Sequence, residues 1–300
     1  MVYIPFRKCT RLGNWLFQFA AARTLDVHVA FVGDVEFMRK AFREYERLFP
    51  GVIFLEKAPA EVLKQIEDQS SRFSPLRHDG QTLIDGYFQS AKYFDEHLVR
   101  SIFSPDSAMI DYLRKKYGKW LDSPGVTGIS VRHGGDYLRI PDRHPFVGFG
   151  YFKRAISSFP ENTQFIVCSD DIHWCKKHFR GGRFHFIEGE SVLVQLYVHA
   201  LCQNNIISNS SFSWWGAWLN ANPGKKVIAP AVWFGMSTNY DTTDLLWEGV
   251  VRIKNRLSFG LWVRAVFNTF CLKLHRMMPN VYKKYRAVRD ALGQGFFDKR

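Results

Sequence analysis

No apolar run in the chain is long and clean enough to cross a bilayer. The most apolar stretch, 257–279, is interrupted by Arg264, Lys273, His275 and Arg276, and charges at that density exclude an ordinary membrane span. The short apolar start meets Arg7 and Lys8, which does not have the form of a signal peptide. The five cysteines, Cys9, Cys168, Cys175, Cys202 and Cys271, show no Cys-x-x-Cys spacing, and three lie in apolar stretches. Reduced, buried thiols and a cytoplasmic setting are expected. There is no internal repeat and no low-complexity tract. No grouping of His, Cys, Asp and Glu has metal-ligand spacing, and the acidic pair Asp170 and Asp171 is adjacent rather than Asp-x-Asp, so no metal site is expected.

What is present is a globular composition, 46% hydrophobic with 16% aromatic and 23% charged residues, in a chain of 300. That is about two ordinary domain lengths and enough to bury a core without disulfides. The formal charge of +13 would suit nucleic acid if it were evenly spread. It is not: residues 252–300 hold twelve Lys and Arg against only Asp290 and Asp298, a net of +10, leaving +3 for 1–251. The body is nearly neutral and the basicity belongs to a tail.

From about residue 125 onward, short β-rich runs alternate with helix-length stretches, the pattern of parallel βαβ units. Strands are expected at 126–131, 164–168, 184–187, 205–208 and 226–229, with helices at 151–159, 172–179, 191–203 and 213–220. In the first half, strands are expected at 2–6, 27–32, 52–55 and 82–85 and a helix at 14–25; 58–80 fits no pattern well. The Asp-Ser-Pro-Gly turn at 122–125 marks a boundary. The domains expected are therefore 1–124, 125–255 and a tail at 256–300.

In open parallel sheets, ligands bind beyond the carboxyl ends of the strands. Those ends deliver Arg132-His133-Gly134-Gly135-Asp136, then Asp170-Asp171, then Asn209-Ser210-Ser211-Phe212 opening a helix. Arginine offers a rigid fork of donors, the glycines admit close backbone approach, and a helix N-terminus favours phosphate. An acidic residue at a strand end accepts hydrogen bonds from a ribose or base. Together these predict a nucleotide pocket. Each piece also has a structural reading: Asn, Ser and Asp before a helix are ordinary caps, and Trp214, Trp215 and Trp218 suit a core. In the first half, Gly13 and Asn14 start a helix, and Tyr87 and Gln89 follow a strand with groups suited to a sugar.

Five phrases, Leu12-Gly-Asn-Trp-Leu-Phe-Gln-Phe-Ala20, Gly86-Tyr-Phe-Gln-Ser90 with Tyr93-Phe94, Ser130-Val-Arg-His-Gly-Gly-Asp-Tyr-Leu138, Cys168-Ser-Asp-Asp171 with Trp174, and Ser208-Asn-Ser-Ser-Phe-Ser-Trp-Trp-Gly-Ala-Trp218, resemble in order the motifs of glycosyltransferase family 11, the α-1,2-fucosyltransferases. The resemblance covers roughly residues 4–235. It implies a GT-B type α/β fold of two facing Rossmann-like domains, here with a basic helical C-terminal tail. It also implies metal-independent, inverting transfer of L-fucose from GDP-fucose to the 2-hydroxyl of a galactose-type acceptor, with no cofactor beyond that donor. One departure stands out. The family motif reads His-x-Arg-Arg-Gly-Asp. If this chain aligns on Arg132, His133 replaces the second Arg and a glycine is inserted; if on Asp136, His133 takes the place of the first Arg.

In this reading Arg132 and His133, with Ser210, Ser211 and the backbone near Phe212, stabilise the leaving diphosphate. Gly13, Gly134, Gly135 and Asn209 shape the donor pocket, and Asp170 or Asp171 holds the nucleoside. Asp136 is the first candidate base and His144 the second, a water-assisted route being the third option. Asn14, Gln18, Tyr87 and Gln89 address the fucose or acceptor from the other domain. The partners expected are a nucleotide sugar and a glycan acceptor, lipid-linked glycans included. Helical periodicity at 281–292 among basic residues suits peripheral contact with the inner membrane face. The competing readings are a related glycosyltransferase with another nucleotide sugar, and a non-catalytic protein using the tail on nucleic acid.

Overall fold

The computed structural model describes residues 1–66, 72–238 and 240–277. The first half runs β1 (Val2–Pro5), α1 (Leu12–Leu25), β2 (Val29–Val32), α2 (Val35–Phe42), β3 (Ile53–Leu55), β4 (Leu63–Ile66), β5 (Thr82–Asp85), α3 (Glu96–Phe103) and α4 (Ser107–Leu121). The second runs β6 (Thr127–Val131), α5 (Asp136–Arg139), α6 (Phe149–Ile156), β7 (Phe165–Ser169), α7 (Ile172–His178), β8 (Phe184–Phe186), α8 (Val192–Leu201), β9 (Asn204–Ile206), α9 (Ser211–Leu219), β10 (Val227–Pro230), β11 (Val251–Ile253) and α10 (Phe259–Met277). The expected strands and helices are recovered to within a few residues. Strand β4 falls in the stretch that fitted no pattern. The periodicity expected at 281–292 lies outside the described residues.

The strands form two sheets, both wholly parallel, ordered β3-β2-β1-β5-β4 and β11-β10-β9-β6-β7-β8. Counted within its own half, the second is the 3-2-1-4-5-6 order of a doubly wound nucleotide-binding sheet. Its reversal point lies between β6 and β9, where one connection leaves toward β7 and the other toward β10. Every residue of β6 and of β10 is buried, as expected of strands covered on both faces.

Helix α1 is apolar on nearly every side and buried from Leu12 to Ala22 except at Asn14, so it occupies the centre rather than a surface. Its partner is α9, whose Trp214, Trp215 and Trp218 are core, as the structural reading of those tryptophans held. Phe17 of α1 lies 4.5 Å and 4.8 Å, ring to ring, from Trp214 and Trp215, and Trp215 Nε1 donates to the Gly13 carbonyl at 2.9 Å. One apolar cluster thus runs through both halves. The surface helices α3 and α4 bury single stripes at four-residue spacing, Val99 with Phe103 and Leu113 with Tyr117 and Leu121.

Candidate active site

The register of β6 against β7 pairs Val131 with Ser169, so the next residues along, Arg132 and Asp170, leave the sheet side by side. Arg132 Nη1 meets Asp170 Oδ2 at 2.9 Å, and Arg132 Nη2 donates to Asp136 Oδ1 at 2.7 Å. The Asp170 carboxylate also accepts from the backbone amides of His133 (2.9 Å) and Gly134 (3.1 Å). A side chain at Gly134 would reach Asp170 Oδ2 at 3.0 Å, and Gly135 turns the chain at φ +58° to begin α5. Gly134 thus leaves room for the close approach of the Asp170 carboxylate, and Gly135 supplies the positive-φ turn.

His133 is turned to the other side. Its ring lies over Trp174 (4.5 Å, 22°), and its Nδ1 is 2.8 Å from Asp171 Oδ2. Asp171 also caps α7 by accepting from the Trp174 amide at 2.9 Å. Burial alone would raise the Asp171 carboxyl, but the Trp174 amide and His133 outweigh it and hold it below the usual carboxylate range. The expected joint clamp of Arg132 and His133 on phosphate is thus not what the structure brings together. Asp170 positions the loop and Asp171 caps α7, and both carboxylates stay partly exposed.

On the other side of the reversal point, the β9 exit is lashed to β6. The Arg132 amide donates to Ser208 Oγ at 2.9 Å, Ser208 Oγ donates to the Ser130 carbonyl, and the Ser130 and Ser213 hydroxyls lie 2.7 Å apart. Asn209 is buried and acts as a strut: its amide nitrogen donates to the carbonyls of Pro145 (2.9 Å) and Trp233 (2.8 Å), and its own carbonyl accepts from Tyr137 Oη at 2.5 Å. Its side-chain oxygen is buried with no partner among the described residues. The Tyr137 ring carries the Arg132 guanidinium 5.3 Å from its centre and stacks with His144 at 5.6 Å. Burial lowers the His144 pKa from its ordinary value, with Asp136 opposing, which favours the neutral imidazole.

The helix termini decide where an anion fits. Helices α2, α3, α4, α7 and α8 each carry a side-chain cap, from Asp34, Asp95, Asp106, Asp171 and Ser191. Helices α1, α5, α6 and α9 begin with no side-chain cap, and of these α1 and α9 begin against each other: a side chain at Gly13 would strike the Phe212 amide nitrogen at 2.5 Å and Ser211 Oγ at 2.6 Å. The opposite end of α9 is well supplied, with Lys225 and Arg100 donating to its last carbonyls. Two positive helix ends therefore meet beside Arg132, with their own capping positions left open.

The first half brings its share of the expected residues to the same edge. Gln89 Nε2 donates to Asn14 Oδ1 at 2.7 Å, and the buried Gln18 donates to the Gly86 carbonyl at 2.8 Å. The loop between them holds half-buried Tyr87 and passes through Phe88 at φ +52°, a costly conformation for a bulky residue and one found where a loop is held for a purpose.

The sequence profile described as glycosyl transferase family 11 matches residues 60–238. The chain belongs to this family. Two family 11 relatives, both from Escherichia coli, align with about half of it. One is O-antigen biosynthesis glycosyltransferase WbnK, 30% identical over 177 residues, covering 54% of this chain and 58% of the relative. The other is an alpha-1,2-colitosyltransferase, 34% identical over 168 residues, covering 52% and 57%. The matched region is thus less than two thirds of either relative's length. Among solved structures, fucosyltransferase NodZ from Bradyrhizobium aligns at 14% identity over 71% of this chain and 91% of its own, with a TM-score of 0.44. Heptosyltransferase WaaC from E. coli aligns at 11% over 92% and 98%, with a TM-score of 0.41. The family 11 match spans the Arg132, Asp170 and Asn209 loops but not α1 or α10. Asp142, buried and bonded by Asn268 Nδ2 at 2.8 Å, is a support that no motif in the sequence signalled.

Proposed function

We propose that this family 11 glycosyltransferase transfers L-fucose from GDP-fucose to the 2-hydroxyl of a galactose-type sugar in a glycan, with inversion, across two facing Rossmann-like halves. The observation that carries the reading is the meeting of two uncapped helix N-termini, α1 and α9, beside Arg132. A diphosphate is the anion whose charge and length suit two helix ends and one guanidinium.

In the proposed reaction the β-phosphate lies against the start of α9 and draws Arg132 off Asp136, while Asp170 keeps the guanidinium in place. The freed Asp136 carboxylate takes the proton from the acceptor hydroxyl, whose oxygen attacks the anomeric carbon from the face opposite the diphosphate. The bond from that carbon to the diphosphate oxygen breaks, and the electron pair leaves on the phosphate, where the helix ends and Arg132 stabilise it. Asn14, Tyr87 and Gln89 line the acceptor side, and the buried Gln18 holds the Gly86 carbonyl behind them.

The name of one relative, an alpha-1,2-colitosyltransferase, favours a second reading in which the donor sugar lacks the 3-hydroxyl of fucose. A thermal-shift series with GDP, GDP-fucose, GDP-colitose, UDP-glucose and UDP-galactose tests both. A ligand at a hundred times its dissociation constant stabilises by about 2.7 kcal/mol. The guanosine compounds are expected to give that shift. A response confined to the uridine compounds would overturn the donor assignment.

A further inference from the structure

Helix α10 packs on the body through a narrow stripe that includes half-buried Leu261 and leaves its broader apolar face outside. Asn268 faces the body, donating to the buried Asp142 carboxylate (2.8 Å) and the Arg139 carbonyl (3.2 Å), and Arg264 Nη1 reaches the Leu138 carbonyl at 2.7 Å. Among the described side chains of the helix, the buried ones are the small Ala265 and Cys271. Outward, at three- and four-residue steps along one face, stand Phe259, Trp262, Val263, Val266, Phe270 and Met277. Phe259 is 79% exposed, Phe270 61% and Met277 74%. A helix sorted by water would have put those side chains against the protein and the amide outside. Elsewhere in the described residues the exposed large apolar side chains are scattered along the chain; here they share one helix.

The charge beside this face has one sign. Helix α10 contains no acidic residue, Lys273 lies on the apolar face, and Arg252, Lys254 and Arg256 are exposed on the segment leading into it. Among the described residues no helix is long and apolar enough to cross a membrane. An apolar stripe with aromatic side chains, fringed by cations and too short of hydropathy to span, matches the interface of an anionic bilayer.

We propose that α10 lies in the surface of an anionic phospholipid membrane, with Phe259, Trp262, Val266 and Phe270 among the lipid headgroups. The inner face of the helix stays clamped to the 138–142 segment, which begins two residues after Asp136. The membrane surface is thereby held beside the candidate site. This inference does not rest on which sugar is transferred.

The test uses the full chain with phosphatidylglycerol-containing vesicles and with phosphatidylcholine vesicles. Sedimentation with the anionic vesicles alone is expected, weakening in about 1 M salt, where the screening length is about 3 Å. Trp262→Ser with Phe270→Ser should weaken the partitioning by about tenfold or more, with an unchanged melting temperature because both side chains are exposed. Of the nine tryptophans, Trp262 alone is exposed, so brominated lipid should quench wild-type fluorescence and leave Trp262→Phe unquenched. Absence of sedimentation, or binding that the double substitution leaves intact, overturns the proposal. So does a lipid-independent dimer that the same substitution dissolves, which would assign the face to a second copy of the chain.

Discussion

Replacing His199 should make the protein less sensitive to acid. The ring is 1% exposed between β6 and α9, packed against Gly128 and Gly216, where any side chain would come within 2.8 Å of it. Neither ring nitrogen has a well-formed hydrogen-bond partner among the described residues. Burial lowers its pKa from 6.5 to about 4, against a smaller opposing pull from the Ile129 backbone. In the unfolded chain the imidazole takes a proton near pH 6.5; in the folded protein it resists doing so until about pH 4. The unfolded state therefore binds more protons below pH 6.5, and stability falls as pH falls through that window. The two pKa values make the loss at pH 5 about 2 kcal/mol, approaching about 3 kcal/mol below pH 4. His199→Leu removes the titration while roughly filling the space. Urea unfolding of both proteins from pH 8 to pH 4.5 should give curves that diverge steadily below pH 6.5, the variant gaining by about 2 kcal/mol at pH 5 relative to its difference at pH 8. Parallel curves would refute the reasoning, because they would mean that the folded protein protonates His199 as readily as water does.

Gly13→Ala should drive the starts of α1 and α9 apart, since its methyl would sit 2.5 Å from the Phe212 amide; a stability loss of about 1–3 kcal/mol is expected in urea titration, with weaker GDP binding by calorimetry. Tyr137→Phe leaves the Asn209 carbonyl without its donor, which should cost about 1–3 kcal/mol, read in the same unfolding assay. Arg132→Ala should abolish transfer at a cost of at most about 1 kcal/mol in stability, because its ion pairs are partly exposed. With Asp136 as base, His144→Gln should keep the pH dependence of kcat/KM through pH 6. If His144 were the base, the wild-type acid limb would lie below pH 6.5, where its lowered pKa falls, and would vanish in that variant.

The second half of the fold was legible because its strands are continuous apolar runs ended by polar phrases, and a parallel sheet buried on both faces produces that pattern. Strand β4 was not, because Leu63-Lys64-Gln65-Ile66 sits at a sheet edge and mixes polar with apolar residues. The strand-end phrases mark loops that the sheet register brings to one edge, yet the partners of their side chains are not legible in the sequence. Asp170 and His133 look like ligand groups in sequence. Their partners are the Arg132 guanidinium, two loop amides and the Trp174 ring, which only the β6–β7 register brings within reach. The open start of α9 was likewise invisible, since Ser210 has the right chemistry for a cap and does not use it. Asp142 and Asn268 are far apart in sequence, and nothing local to either signals the bond between them.

The most direct test of the account is transfer itself. The purified full chain, given GDP-fucose and a β-galactoside, should release GDP and form a fucosyl galactoside whose NMR spectrum shows an α linkage to the galactose 2-hydroxyl. Release of GDP with linkage at another hydroxyl would contradict the acceptor assignment. Binding of GDP-fucose with no transfer to any galactoside would contradict the reaction.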